Sequence, residues 1–156
     1  MPDSVITNVA GGPDLEAVRA LFAEYGADVS RAHCLTGFDQ ELASLPGAYA
    51  PPQGGLLLLR CGAEAVGCVG LRLLEDGIAE MKRLYVRPEF QGKGFGRALA
   101  SAAIELARGL GYRAVRLDTL GHMTEAQRLY RDLGFQNIPA YHEDTAPGMC
   151  FMELQF

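Results

Sequence analysis

Residues 84–99 read LYVRPEFQGKGFGRAL: an apolar strand-like end, a linker with one proline, glycines alternating at Gly92, Gly94 and Gly96, then the first turn of a helix. A glycine-rich turn that delivers a strand into a helix N-terminus leaves several backbone N–H groups unpaired around the positive end of the helix dipole. Without side chains in the way, a phosphate can come close to them. The same glycines would also serve a bare tight turn, so the neighbouring sequence has to decide.

On the N-terminal side lie three β-rich runs, LLLLRC (56–61), AVGCVGLRLL (65–74) and IAEMKRLYV (78–86), joined by the turn-like GAE and EDG; this spacing predicts an antiparallel meander. On the C-terminal side, Phe95, Leu99, Ala102, Ala103, Leu106 and Leu110 recur at helical spacing as a buried face, with Arg97, Ser101, Glu105 and Arg108 as the wet stripe. Arg113 to Asp118 reads as a strand. Thr124 and Gln127 then form a capping-box pair opening a helix with Ala126, Leu129, Tyr130 and Leu133 on one face, and Gly134 closes it. Phe135 to Ala140 and Met149 to Leu154 read as two closing strands.

At the start of the chain Val5 to Val9 reads as a short strand, and GGPD offers a turn with Asp14 as the N-cap of a helix carrying Leu15, Val18, Leu21, Phe22 and Tyr25. Its register fades near Gly26. Residues 27–54 carry the weakest pattern: Asp39 to Leu45 suits a short helix, and LPGAYAPPQGG is a loop by its prolines and glycines. No repeat or low-complexity linker divides the chain. The expectation is one domain over 1–156, of mixed α/β (α+β) class, with a mostly antiparallel sheet of six to seven strands flanked by about four helices.

Composition narrows the functions. With 156 residues, 49% hydrophobic and 21% charged, the chain can bury a core unaided, and a net charge of −5 opposes a broad phosphate-binding face for nucleic acid. Cys34, Cys61, Cys68 and Cys150 form no CxxC pair and stand at no metal-ligand spacing, so they read as reduced packing residues, with no metal expected. The N-terminus lacks the basic and apolar regions of a targeting peptide, and no apolar stretch is long enough to span a bilayer. A cytoplasmic protein with no membrane partner is expected.

Two phosphate-loop readings fail on spacing. The glycines fall as GxGxG rather than GxGxxG, and RPEFQ separates Val86 from the first of them, whereas a dinucleotide loop turns directly after its strand; Asp118 is only a decoy for a ribose-binding acid. A nucleoside-triphosphate loop requires GxxxxGK followed by Ser or Thr, and here Lys93 is followed by Gly94.

Residues 84–99, followed by a strand and then EAQRLYRDLGF (125–135), resemble the GNAT superfamily of acyl-CoA-dependent N-acyltransferases. Gln91, Gly94 and Gly96 after Leu84 and Val86 meet the Q/R-x-x-G-x-G/A signature; Ala126, Leu129, Tyr130, Gly134 and Phe135 meet A-x-x-L-Y-x-x-x-G-F. The close match covers residues 78–135. The resemblance implies the GNAT fold, acetyl-CoA as cofactor, and a pyrophosphate held by N–H groups from Gln91 to Arg97, that is Gln91, Gly92, Lys93, Gly94, Phe95, Gly96 and Arg97, with charge from Lys93 and Arg97. It further implies that the pantetheine arm pairs with Leu84, Tyr85 and Val86, that the Val86 N–H stabilises the oxyanion, and that Tyr130 protonates the leaving thiolate. Glu80 maps onto the strand position where some members carry a base; equally, it could pair with Lys82 on the same strand face. One departure is Met123, where many members have an asparagine that helps to hold the cofactor arm; His122 beside it is a substitute candidate.

The acceptor side implied by the family falls on residues 26–54 and on YHEDTAPG (141–148). Arg83, Arg72 and His33 are candidates to meet a substrate carboxylate; Glu143 and Asp144 are candidates to attract a cationic amine. GMCFMEL near the C-terminus resembles bacterial small-molecule members. The expected activity is acetyl transfer to a primary amine of a small molecule by direct attack in a ternary complex, since no cysteine occupies a motif position. The alternatives are a non-catalytic acyl-CoA sensor and an enzyme acting on peptide amines. A homodimer is compatible with all of them.

Overall fold

The computed structural model describes residues 3–29, 37–121, 123–143 and 148–156. Among them, seven strands form one sheet in the order β1-β2-β3-β4-β5-β7-β6, with four α-helices. The strands are β1 (Ser4–Val9), β2 (Gly55–Cys61), β3 (Glu64–Glu75), β4 (Ile78–Val86), β5 (Ala114–Thr119), β6 (Gln136–Ile138) and β7 (Cys150–Gln155). The helices are α1 (Gly12–Val29), α2 (Phe38–Ser44), α3 (Phe95–Gly109) and α4 (Thr124–Asp132). All pairings are antiparallel except β4 with β5, so the meander of β2, β3 and β4 and the mixed sheet stand as the sequence predicts.

The leucine run shows why β2 is central. Leu57 and Leu59 enter a core with Leu99, Ala103 and Ala107 of α3, while Leu56 and Leu58 enter a second core with Val18, Leu21 and Phe22 of α1 and with Tyr49. Side chains alternate across a strand, so a strand buried on both faces reads as unbroken hydrophobicity. Each leucine withdrawn from water contributes roughly 1.5–3 kcal/mol, and neither helix layer could bury its stripe without the other face of the same strand.

Four local expectations are corrected. Helix α1 begins at Gly12, so Asp14 sits in its first turn rather than at the cap, and its Oδ1 accepts a 2.7 Å bond from Arg60. The same helix continues past Gly26 to Val29 because Phe38 packs there: a Cβ on Gly26 would lie 2.3 Å from the Phe38 ring. In α4 the N-cap is Met123, with no side-chain cap, and Gln127 instead donates to the Leu120 carbonyl at 2.9 Å. The buried face of α3 is Leu99, Ala100, Ala103, Ile104 and Ala107; Leu110 follows the last turn and is exposed, because small alanines let the helix lie close on a face rotated from the one its larger residues mark.

The feature that creates the site is where the sheet fails. Strands β4 and β5 pair only over Ile78–Glu80 with Ala114–Arg116, after which they part. Beyond that point β4 carries an irregularity against β3, where Arg83 adopts a left-handed backbone with φ 63°. An extra residue in one strand bends it and re-aims the residues beyond the bulge.

Candidate active site

The split between β4 and β5 opens a pocket lined by Met81, Lys82, Arg83 and Leu84 on one side and Asp118, Thr119 and Leu120 on the other, with Tyr25, Met123 and Tyr130 around it. A second cleft continues from it, sharing Leu84 and Met123. It is bounded by Val86, Phe90, Gln91, Gly92, Gly94, Phe95, Gly96 and Arg97, and across from them by Thr124, Glu125, Ala126 and Leu129 of α4. Together they form a groove running from the strand split to the start of α3.

The glycine loop supplies donors to that groove. Gly92 and Gly94 have φ of 80° and 86°, the left-handed region that glycine enters without strain. Ala98 N–H makes the first helical bond, 3.1 Å to the Gly94 carbonyl, so the N–H groups of Phe95, Gly96 and Arg97 have no acceptor within α3. Gln91 uses its side chain internally, donating from Nε2 to the Val86 carbonyl at 2.9 Å and tying the loop to the strand end. Lys93 lies outside the groove lining, with its ammonium 5.6 Å from the Phe90 ring centre, and Arg97 pairs with Asp132 of α4 at 3.2 Å.

Strand β4 presents two different faces. Arg87 N–H bonds to Val66 of β3 at 2.9 Å, so Val86, one residue earlier, turns its own N–H and carbonyl to the other side, towards the split. Leu84 and Val86 pack against the core under α3, whereas the Tyr85 side chain lies on the α1 face, where its hydroxyl donates to Glu24 at 3.1 Å and its pKa is pushed up to about 12, chiefly by burial and by that bond. Of the cofactor residues implied by resemblance, Tyr85 and Lys93 therefore stay out of the groove lining, and the remainder border it.

Tyr130 is 7% exposed and reaches the pocket from α4. Burial moves its pKa well above that of an ordinary phenol, so at neutral pH it holds its proton, and its hydroxyl has no hydrogen-bond partner among the described residues.

Glu80 is 1% exposed and faces the α1/α2 side. Its nearest cation is Arg72, directly opposite on β3, at 2.8 Å; Lys82 stands off at 3.9 Å. Its other oxygen accepts a 2.7 Å bond from Tyr141, whose own pKa is driven up by burial and by the charge of Glu80. Both carboxylate oxygens are thus engaged, and Glu80 does not line the pocket that Tyr130 enters.

The arginines expected to meet a substrate carboxylate are also committed elsewhere. Arg83 makes two 2.9 Å bonds to Glu41 of α2, with its guanidinium carbon 5.5 Å and 5.0 Å from the ring centres of Tyr25 and Phe38. For Glu41, burial alone would raise the pKa, but the bonds and charge of Arg83 outweigh it and hold the carboxyl below its usual range. Sequence spacing could not pair Arg83 with Glu41 because α2 lies in the weakly patterned region. Glu143 is exposed, and His33, Cys34, His122 and Asp144 lie outside the described residues.

A pair that sequence reading did not join stands behind the β5 wall of the pocket. His142 Nε2 lies 2.6 Å from Asp118 Oδ2 at the end of β5, while His142 Nδ1 and Thr119 Oγ1 are buried without a partner among the described residues. The His142 ring stacks edge-on to Phe151 of β7. In the sequence, Asp118 shows as an acid at a strand end and His142 lies in the loop 141–148 assigned to the acceptor side, but spacing does not join the two.

The sequence profile of the acetyltransferase (GNAT) family matches residues 17–135. An uncharacterized N-acetyltransferase of Schizosaccharomyces pombe is 35% identical over 144 residues, spanning 91% of this chain and 88% of that protein. Human N-acetylaspartate synthetase is 32% identical over 127 residues, 80% of this chain but 42% of that protein. A Bacillus subtilis acetyltransferase crystallised with CoA superposes with a TM-score of 0.69 at 18% identity, covering 99% of each chain. No helix among the described residues is long and apolar enough to cross a membrane. The glycine loop, the split sheet and these matches lead to one conclusion: the chain belongs to the acetyltransferase (GNAT) family, enzymes that draw an acyl group from acetyl-CoA.

Proposed function

We propose that the chain, acting as one catalytic domain, transfers the acetyl group of acetyl-CoA to a primary amine of a small cytoplasmic molecule by direct attack in a ternary complex. The observation that carries this reading is the continuous groove from the α3 N-terminus to the strand split, with a protonated tyrosine at its inner end. The N–H groups of Gly92, Gly94, Phe95, Gly96 and Arg97 would hold the pyrophosphate of acetyl-CoA, and the backbone of Leu84 to Val86 would hold its amide-bearing arm as a partial strand.

The acyl donor brings the activated thioester; the chain's own groups do the rest. The Val86 N–H, turned to the split, meets the carbonyl oxygen as charge develops there. As the C–N bond forms and the C–S bond breaks, the departing sulfur takes the Tyr130 proton. The ammonium first gives one proton to solvent, freeing the lone pair that attacks. The second, lost as the C–N bond forms, goes to Asp118, whose Oδ1 has no partner among the described residues. Solvent exchange then removes the Asp118 proton and reprotonates Tyr130. Glu80 then holds Arg72 and Tyr141 in place rather than taking the proton itself. None of Cys61, Cys68 and Cys150 borders the groove, and burial raises the Cys68 thiol pKa far from reactivity, which favours direct attack over an acyl-cysteine.

The test is to incubate purified protein with acetyl-CoA and a panel of small primary amines and amino acids, following CoA thiol release and product mass together. Amine-dependent thiol release with a matching acetylated product is expected. Thiol release without an acetylated amine, or none with any acceptor, contradicts the reading.

A further inference from the structure

Among the described residues, most charges on the α1/α2 face of the split are held in close ion pairs. Glu80 is taken by Arg72, Glu41 by Arg83, and Arg116 by Glu75 and Glu153 at 2.9 and 2.7 Å. Lys82 and Asp118 stand outside those pairs. Lys82 is largely buried, with 14% side-chain exposure, and its acidic neighbour, at 3.9 Å, is a carboxylate already held by Arg72 and Tyr141. Asp118 has only the His142 ring on Oδ2 among the described residues.

Strand register places these two opposite one another. Glu80 pairs with Arg116 in the parallel ladder, so the next residues on the same face, two along each strand, are Lys82 and Asp118. Had the strands stayed together they would form an ion pair; the strands part there instead, and no such bond forms among the described residues. Both line the pocket that Tyr130 enters, one cation on the β4 wall and one anion on the β5 wall. The parting of the strands therefore leaves a cation on one wall of the pocket and an anion on the other.

We infer that the acceptor is a zwitterionic amino acid, its carboxylate on the Lys82 ammonium and its amino group on the Asp118 carboxylate. This rests on the transferase reading for its chemistry but on Lys82 and Asp118 alone for its binding. The amino group held by Asp118 lies in the pocket that Tyr130 shares, on the face away from the cofactor groove. His142 fixes the Asp118 carboxylate by its second oxygen and is a positioning residue. Beyond the two ions the cavity walls mix apolar Met81, Leu84 and Met123 with polar Tyr25, Arg83 and Tyr130, so the side chain of the acceptor meets both kinds of surface.

The test is calorimetric titration of CoA-saturated protein with each of the twenty proteinogenic amino acids and with the corresponding α-carboxamides, which keep the amine and shape but lose the carboxylate. At least one amino acid should bind about tenfold or more tighter than its carboxamide, the expected loss for one charge-assisted contact. Lys82→Gln should abolish that preference by weakening the amino acid alone, while Asp118→Asn should weaken both, since the amine is common to them. The inference is overturned if no amino acid binds, if amide and acid bind alike, or if Lys82→Gln weakens both equally. Transfer to simple amines without amino-acid preference would leave the enzyme reading standing and remove this one; amino-acid binding without thiol release would do the reverse.

Discussion

Replacing Glu41 by Gln would leave the Arg83 guanidinium in place with its countercharge gone. Arg83 is 8% exposed, and its two bonds to Glu41 are both 2.9 Å, so the cation cannot recover its loss from water. Removing one partner of a buried pair costs about 3–5 kcal/mol. The amide oxygen of Gln and the rings of Tyr25 and Phe38 return part of that, leaving roughly 3 kcal/mol, or a Tm lowered by about 6–12 °C for a chain of this size. Urea unfolding at neutral pH should show a lower midpoint at unchanged slope. The double variant Glu41→Leu with Arg83→Met, which removes both charges, should recover most of the loss. Because Arg83 holds the left-handed position that re-aims β4, CoA affinity should fall in the single variant as well. A loss below about 1 kcal/mol, or a double variant no better than the single, would refute the account of this pair as the lock on the strand irregularity.

At Gly94, φ is 86° and an added Cβ meets nothing within 4 Å, so Gly94→Val should lower stability by only about 1–2 kcal/mol of backbone strain while CoA binding, read by calorimetry, is lost. Glu41 and Glu153 titrate below their unfolded values, the first against its burial through Arg83 and the second through its bonds from Arg116 and Gln155. Their contribution is therefore complete above the unfolded carboxylate value of about 4.3 and is lost as pH falls through the lower folded values. Urea midpoints measured from pH 6 downwards should fall along this acid limb, and Glu41→Gln should flatten it. Tyr141→Phe removes one of the bonds to buried Glu80 and should cost about 1–2 kcal/mol in the same unfolding assay.

The central strands are legible in the sequence because their burial repeats with the local period: the alternation of Leu56–Leu59 between two cores is written in nearest neighbours. Helix α3 is legible as a helix, but its buried face only in part, because the alanines that seat it on the sheet mark no apolar stripe of their own. The glycine loop is legible because backbone conformation, not tertiary packing, selects glycine at Gly92 and Gly94. Spacing supplies none of the contacts made across the sheet. Arg72 and Arg83 look like free cations in sequence, yet their partners are on β4 and on α2. His142 and Asp118 are separated by a helix and a strand, and only the pairing of β5 with β7 brings them together. The capping of α4 is hidden for a similar reason: Gln127 has an acceptor at Leu120, outside the helix, that outcompetes the local box.

The measurement that bears most directly on catalysis compares Tyr130→Phe with the unaltered chain, once an accepted amine is in hand, for both turnover and CoA affinity. The phenyl ring keeps the packing against Phe135 and loses only the proton donor. Turnover should fall by about 10²-fold or more with the dissociation constant of CoA unchanged. Equal turnover in the two proteins would contradict the assignment of Tyr130 as the proton donor, and with it the chemistry placed at the parting of β4 and β5.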